Sequence, residues 1–210
     1  MTKKHDIIWL ESVDSTNEEC RRRISDIDNL SVVSALTQTA GRGQRGNSWK
    51  SEPGKNLTFS IVLKFTDNSD MMIKAIDQFV LSQITALSVV ELLSRHDIQA
   101  QIKWPNDIYV DGKKISGILI ENSLRGEWIS QSIIGIGLNV NQRNFDVSLP
   151  NPTSIALLKD GSAPQTDLRL LLEEFMDIFS NYYNKITDIS DLSQKYQSIL
   201  FDRDSLSHMN

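Results

Sequence analysis

The stretch KWPNDIYVDGKKISGILIEN, residues 103–122, contains the strongest structural signal in the chain. Asp111-Gly112 is typical of a two-residue hairpin turn. The apolar residues on both sides predict strand pieces at 102–104 and 108–110, interrupted by Pro105, and a strand at 114–121. Three lysines lie around the turn, so we expect a cationic hairpin in an apolar sheet. Such a hairpin favours the binding of a phosphate or carboxylate group.

A second stretch, GRGQRGNSW at residues 41–49, is rich in glycine and arginine and contains no acidic residue. Its glycines allow backbone N–H groups to converge on an anion. Arg42 and Arg45 add charge, and Trp49 offers a flat face for a ring. Residues 39–56 are predicted to form a long loop, which is usually functional or mobile. The alternatives are a solvated surface loop or a short RNA contact.

The remaining pattern predicts an α+β domain. Strands are expected at 7–10, 31–37, 57–65 and 128–138, and helices at 16–27, 72–93, 154–158, 168–183 and 192–200. Ser15 followed by Glu18 is a capping-box pattern. The central helix is expected to bury Ile76, Phe79, Val80, Ile84 and Leu87.

Composition limits the classes of function. The chain has 210 residues, a net charge of −5 and one cysteine, with a pI of about 5.2. The acidic total argues against a general nucleic-acid binder, and the lone Cys20 fits a reducing compartment. No apolar run is expected to approach the roughly 18 residues of a membrane span. We therefore expect a cytoplasmic protein without a membrane or DNA partner.

The lysines and nearby glycines are the candidate site residues. Lys103 is predicted to lie on a buried strand, where Asp107 could neutralise it as a purely structural ion pair. Strand alternation sends Lys113 and Lys114 to opposite faces, so only one can reach a pocket; both could instead be solvated. Three glycines on adjacent strands suggest that a ligand lies against the sheet: Gly117, Gly135 and Gly137.

The other candidate is the start of the first helix. Ser15, Thr16 and Asn17 either cap this helix or form a site for polar groups and anions. The sequence contains no metal-binding cluster, nucleophile elbow or catalytic triad, so no metal-ligating residue is predicted.

These motifs together resemble the biotin–protein ligase family. The resemblance rests on DSTN at 14–17, Gln38 before GRGQRGNSW, KWPND at 103–107, KKISGILIE at 113–121 and GIGLNVN at 135–141. It implies a mixed β-sheet flanked by helices, like the catalytic core of class II tRNA synthetases. It also implies an enzyme that uses ATP, with Mg²⁺, to activate biotin as biotinyl-5′-AMP. The biotinyl group then passes to a lysine of a biotin carboxyl carrier protein domain.

The resemblance also implies roles for individual residues. Lys114, Lys103 and Arg42 would be catalytic, supplying positive charge where negative charge develops. Biotin would be bound by Ser15, Thr16, Asn17, Gln38, Arg42, Gly43, Gln44, Lys114, Gly117 and Gly135. ATP would be bound by Arg45, Trp49, Asn106, Asp107 and Asn139. Gln44 stands where the family pattern has arginine.

The domain organisation follows from the same resemblance. Residues 1–185 would form the catalytic domain and residues 186–210 a helical tail. We expect the short form of the family, with no preceding helix-turn-helix and with the small C-terminal β-barrel absent or truncated, as a monomer or homodimer. The nearest alternative is a lipoate or octanoate ligase or transferase, and an alternative of another class is a non-catalytic nucleic-acid-binding module that uses the basic loop.

Overall fold

The computed structural model describes residues 5–65, 71–159 and 164–201. The strands are β1 (Ile7–Val13), β2 (Val32–Gln38), β3 (Leu57–Lys64), β4 (Gln101–Lys103), β5 (Asp107–Val110), β6 (Lys113–Arg125) and β7 (Trp128–Leu138). The helices are α1 (Thr16–Arg22), α2 (Phe79–Arg95), α3 (Ile155–Leu158), α4 (Leu168–Tyr183) and α5 (Ile189–Ser198), with 3₁₀ turns at Gln44–Gly46 and Ala75–Asp77.

One mixed sheet of seven strands organises the described residues, in the order β1-β2-β3-β7-β6-β5-β4. β1 and β2 are parallel and the other neighbouring strands are antiparallel. The predicted hairpin is present, and Asp111 and Gly112 take φ values of 50° and 73°, as its type I′ turn requires. The predicted α+β class, a mixed sheet flanked by helices, is confirmed.

The two faces of the sheet bury different apolar clusters. Strand alternation on β3 sends Leu57, Phe59, Ile61 and Leu63 into the larger cluster, which α2 and α4 cover. The smaller cluster contains Cys20 from α1 together with Val33, Val62 and Ile133. Because α1 is short, it leaves part of its face of the sheet open for a cleft.

The central helix begins later than predicted. α2 starts at Phe79, and Ile76 is 87% exposed and Phe79 39% exposed. The preceding residues extend the sheet instead: Ile129 N–H donates to the Ile73 carbonyl, and Ala75 N–H donates to the Glu127 carbonyl. Tertiary pairing with β7 therefore outweighs the helical periodicity at 72–78.

Length and hydropathy alone would allow one helix, Ala75–Arg95, to cross a membrane. The stretch is 21 residues long with a hydropathy of 1.4, so a test of length and mean hydropathy admits it although polar residues interrupt its apolar sequence. In the structure 67% of this window is buried, and α2 packs against α4 and α5. Its hydropathy is that of a core helix.

The helices near the ends also differ from prediction. α1 ends at Arg22 rather than near residue 27, and a turn follows it. α4 has the predicted bounds, and the last helix runs from Ile189 to Ser198. Of the predicted tail 186–210, residues 202–210 lie outside the described residues, so the division into domain and tail stays a prediction.

Candidate active site

A cleft of about 880 Å³ opens on the α1 side of the sheet, between the loop after β2 and the strands β5 to β7. It brings together most of the predicted site. The predicted residues that line it are Ser15, Thr16, Asn17, Gln38, Arg42, Gly43, Gln44, Arg45, Trp49, Asn106, Asp107, Lys114, Gly117 and Gly135. Two predicted residues, Lys103 and Asn139, do not line it.

One end of the cleft is a polar pocket lined by Thr16, Asn17 and Gln38, with the buried Ser60 hydrogen-bonded to Thr16 and Asn17. Thr16 N–H donates to Gln38 Oε1 at 2.8 Å. The Ser60 Oγ lies 2.7 Å from Thr16 Oγ1 and 2.6 Å from Asn17 Oδ1. Thr16 uses the oxygen of Gln38 through both its N–H and its hydroxyl, and the amide nitrogen of Gln38 has no hydrogen bond within the described part of the chain. The polar pocket can therefore offer donors and acceptors to a small polar head group.

The capping-box prediction is wrong. Ser15 occupies the N-cap position with φ −153° and ψ 136°, but its side chain makes no capping hydrogen bond. Glu18 instead pairs with Arg21 at 2.5 Å and with Arg42 at 2.8 Å. The hydrogen bond from Arg21 is the main cause of the lowered pKa of Glu18, so this carboxylate is charged and available to hold the loop.

The basic loop folds over the cleft as a small hairpin. Arg42 and Ser48 form an isolated bridge, and Gly43 N–H donates to the Asn47 carbonyl at 2.7 Å. The Arg42 guanidinium also donates to both oxygens of Glu121, at 3.0 and 2.8 Å. Arg42 is therefore engaged by acidic side chains of the body of the domain, while Arg45 is exposed at the tip with φ 56°.

A β-bulge directs Lys114 into the cleft. The register of β5 against β6 shifts between Ile108 and Tyr109, so that Ile115 is the extra residue. Regular alternation would place Lys114 on the face opposite Gly117. The shift instead brings Lys114 Nζ to 3.4 Å from the position of a Cβ added at Gly117. The predicted divergence of the two lysines is confirmed, because Lys113 is exposed.

Lys114 is the cation at the second end of the cleft. Its Nζ forms an ion pair with Asp107 Oδ1 at 2.8 Å, and its side chain is 29% exposed. It also lies 5.8 Å from the centroid of the Trp49 ring. The ammonium is therefore held in place by a carboxylate that an arriving anion would displace or share.

Protein side chains lie close against the sheet glycines of the cleft. A Cβ at Gly137 would lie 2.2 Å from Trp49 Cε2, and one at Gly135 would lie 2.3 Å from Asn17 Oδ1. Gly117, Gly135 and Gly137 also line the cleft, so their contact with a ligand stays a prediction. They allow Trp49 and Asn17 to lie directly on the strands, which sets the floor of the cleft.

Lys103 is exposed, contrary to the prediction that it is buried. It belongs to β4, the edge strand, where alternation buries Ile102 instead. Its Nζ lies 3.4 Å from Tyr109 Oη and 4.7 Å from the centroid of that ring. The predicted internal partner Asp107 pairs with Lys114 instead, so the Lys103–Asp107 ion pair is absent.

A neighbouring cavity of about 1010 Å³ shares Trp49 and Lys114 with the cleft and is lined by Asn139 and Phe145. Asn139 donates through Nδ2 to the Thr153 carbonyl at 2.9 Å, so its amide supports the backbone beside this cavity. The Trp49 indole is a wall common to both cavities, and its Nε1 is buried without a hydrogen-bond partner.

Sequence reasoning missed three residues that hold this site together: Ser60, Glu18 and Glu121. Ser60 lies on β3, on the face opposite to the apolar residues Phe59 and Ile61. A polar residue at this position of a buried strand was the signal available in the sequence. Glu121 ends the KKISGILIE motif, but its partners are distant in sequence. Among described residues, no group of three or more His, Cys, Asp or Glu side chains could hold a metal ion.

Comparison with known proteins gives a consistent result. The family model described as "Biotin/lipoate A/B protein ligase family" matches residues 9–139. Biotin–protein ligase 1, chloroplastic, of Arabidopsis thaliana is 31% identical over 92% of this chain and 50% of its own length. The bifunctional ligase/repressor BirA of Bacillus spizizenii is 33% identical over 72% of this chain and 45% of its own length. This chain therefore spans about half the length of the curated relatives it matches.

A solved structure of the biotin protein ligase from Aquifex aeolicus, in complex with biotin and ATP, superposes with a TM-score of 0.75. It is 28% identical, and the match covers 93% of this chain and 78% of that one. The fold of this chain is therefore similar to that of a solved biotin protein ligase. The chain belongs to the biotin/lipoate A/B protein ligase family.

Proposed function

We propose that this chain is the catalytic core of a biotin–protein ligase, which activates biotin with ATP and transfers it to a lysine of a biotin carboxyl carrier protein domain. The observation that carries the proposal is the two-ended cleft. A polar pocket suits a small hydrogen-bonding head group, and Lys114, facing the same cleft, suits the carboxylate and a phosphate. The relatives named above, and the Aquifex complex with biotin and ATP, support the same reading.

The chemistry follows from the two charged reactants. A biotin carboxylate oxygen attacks the α-phosphorus of ATP, forming the acyl phosphate bond of biotinyl-5′-AMP and releasing pyrophosphate. Both partners are anionic, so a fixed cation at their meeting point lowers the barrier. Lys114 is the cation that the bulge aims into the cleft. Transfer needs positioning and charge neutralisation more than covalent participation of the protein.

In the second step the neutral amine of the carrier lysine attacks the acyl carbon of the adenylate. An amide bond forms, AMP leaves with the electrons of the broken C–O bond, and the attacking nitrogen loses one proton to the released phosphate or to water. The hairpin of the basic loop lies over the cleft, so it would shield the adenylate from water during this step. Trp49 and Asn139 border the neighbouring cavity, which we assign to the nucleotide.

Mg²⁺ is part of the proposal. Among described residues no cluster of carboxylates forms a metal cage, and Mg²⁺ usually keeps several waters and is bound largely through substrate phosphates. It would therefore enter with the ATP phosphates and neutralise part of their charge. The predicted cytoplasmic location and the choice between monomer and homodimer remain predictions.

The test is isothermal titration with biotin, followed by mass spectrometry for biotinyl-5′-AMP after MgATP is added. We expect biotin to bind and the adenylate to form only when both substrates are present. The same experiment with lipoate tests the alternative that the chain is a lipoate ligase. Binding and adenylation of lipoate but not of biotin would reject biotin as the substrate. Retardation of a nucleic acid in a gel at low salt, without formation of any adenylate, would favour the nucleic-acid-binding module.

A further inference from the structure

The carboxylate of Glu121 joins the polar pocket to the basic loop. Its Oε2 accepts a hydrogen bond from Asn17 Nδ2 at 2.7 Å. Both of its oxygens accept from Arg42, at 3.0 and 2.8 Å, and Oε1 also accepts from Arg21 at 3.0 Å. One side chain on β6 therefore contacts α1 and the loop at once.

Glu121 determines which way the Asn17 amide faces. A carboxylate only accepts hydrogen bonds, so the group that Asn17 turns toward it must be the NH₂. The second Nδ2 proton points to the Leu119 carbonyl at 3.4 Å. The Asn17 oxygen is consequently directed to the other side, where Ser60 Oγ lies 2.6 Å away.

This orientation leaves one lone pair of Asn17 Oδ1 without a hydrogen-bond donor among the described residues. A carbonyl oxygen has two lone pairs, and Ser60 uses one of those on Asn17 Oδ1. Asn17 is 3% exposed and lines the cleft. A buried acceptor with a free lone pair favours a ligand that brings an N–H group and disfavours one that does not.

We propose that Glu121 is a positioning and specificity-determining residue: it holds the Asn17 amide with its NH₂ toward β6 and its oxygen toward Ser60, so that the polar pocket offers an acceptor to a head group with N–H donors. The inference rests on the proposed function, in which that head group is the ureido ring of biotin. A dithiolane head, as in lipoate, has no N–H donor and leaves the Asn17 oxygen unsatisfied. The hydrogen bonds from Arg42 to Glu121 would couple binding of the head group in the polar pocket to closure of the basic loop.

The main variant is Glu121→Gln, and Glu18→Gln is its matched control. Each substitution removes one negative charge and one partner of Arg42 and of Arg21. Only Glu121 contacts Asn17. Effects that come from loosening the loop are therefore shared by the two variants, and the difference between them isolates the orientation of Asn17.

Titration calorimetry with biotin measures the consequence. We expect Glu121→Gln to weaken biotin binding by about tenfold more than Glu18→Gln does, which is about 1.4 kcal/mol. In an Asn17→Ala background the excess of Glu121→Gln over Glu18→Gln should fall below about twofold, because the residue through which the excess acts is gone. An equal excess in both backgrounds would show that Glu121 does not act through Asn17 and would overturn the proposal.

A second variant distinguishes a lost contact with Asn17 from misfolding of the protein. Glu121→Asp keeps the negative charge, which the long and partly exposed Arg21 and Arg42 side chains can follow, but shortens the side chain by one methylene and so should lengthen the 2.7 Å hydrogen bond from Asn17. It should keep the thermal midpoint of the wild type and still weaken biotin binding several-fold. Wild-type affinity for biotin in Glu121→Asp, with the midpoint retained, contradicts the proposal.

The orientation itself can be read without any ligand. In a ¹H–¹⁵N spectrum, the Asn17 side-chain NH₂ signals are identified by their loss in Asn17→Ala. They should be shifted and slow to exchange in the wild type and in Glu18→Gln, and should move in Glu121→Gln. Unchanged Asn17 signals in Glu121→Gln overturn the proposal even if biotin is not the substrate, whereas a failure of the wild type to bind biotin counts against the proposed function alone.

Discussion

Replacing Lys114 by alanine tests the assignment of charge in the cleft. Its Nζ is held 2.8 Å from Asp107, and its side chain is 29% exposed. Two unit charges about 4 Å apart interact by about 4 kcal/mol at an effective dielectric constant of 20. Removing one fixed donor at a site of developing charge costs about 2.7 to 4 kcal/mol in measured enzymes. We therefore expect a loss of about 3 kcal/mol of transition-state stabilisation.

At about 1.4 kcal/mol per tenfold, this loss is a decrease of a hundredfold or more in the rate of pyrophosphate release. Lys113→Ala is the control, because Lys113 is the adjacent lysine on the exposed face, and its effect should be less than about twofold. The assay follows pyrophosphate release with biotin and MgATP, with thermal unfolding to show that both variants fold. Equal rates for the two variants would refute the role that the bulge gives to Lys114.

The partner of Lys114 allows a finer test. Without the lysine, the Asp107 carboxylate faces the incoming phosphate alone and repels it. Adding Asp107→Asn to Lys114→Ala should therefore recover part of the lost rate, by several-fold, without restoring the wild-type value. A double variant slower than Lys114→Ala would show that Asp107 has a productive role of its own.

Further predictions concern the loop, the floor of the cleft and the core. Gln44→Arg adds a charge-assisted hydrogen bond and should slow adenylate dissociation by about tenfold and reduce stray biotinylation; if neither changes in rapid filtration and blotting, the rest of the loop already retains the adenylate. Tryptic cleavage at Arg45 should slow in saturating biotin, and unchanged cleavage would count against a closing loop. Gly137→Ala should displace Trp49, because the added Cβ would lie 2.2 Å from its ring, and should weaken ATP binding by at least about tenfold; unaltered tryptophan fluorescence and ATP affinity would contradict this. Burial raises the pKa of the Cys20 thiol to about 12, so native protein at pH 8 should not react with a thiol reagent until it unfolds, and rapid labelling of folded protein would show that α1 opens.

Local patterns were sufficient to predict several elements. The Asp111-Gly112 turn follows from residues that tolerate positive φ, and the buried face of β3 follows from the alternation of Leu57 and Phe59. The bounds of α4, at 168–183, were read from apolar periodicity. These features depend on residues a few positions apart, so the sequence alone contains the information that decides them.

The motifs that carry the family resemblance also converge as predicted, apart from Lys103 and Asn139. The prediction for Lys103 failed because burial of a strand depends on its place in the sheet, and β4 lies at the edge. The start of α2 was misplaced because residues 73–75 pair with the β7 side of the sheet. Local periodicity predicts neither the strand order nor the pairing of residues 73–75.

By itself, then, the sequence determined the class of fold, the family and most of the residues that meet in the cleft. Only the tertiary structure decided how they are oriented. A one-residue bulge turns Lys114 to the cleft face, and Glu121 reaches Asn17 and Arg42, which are 104 and 79 residues away in sequence. The physical reason is that side-chain direction and hydrogen-bond partners depend on long-range strand pairing, whereas turn type and apolar periodicity depend on neighbours along the chain.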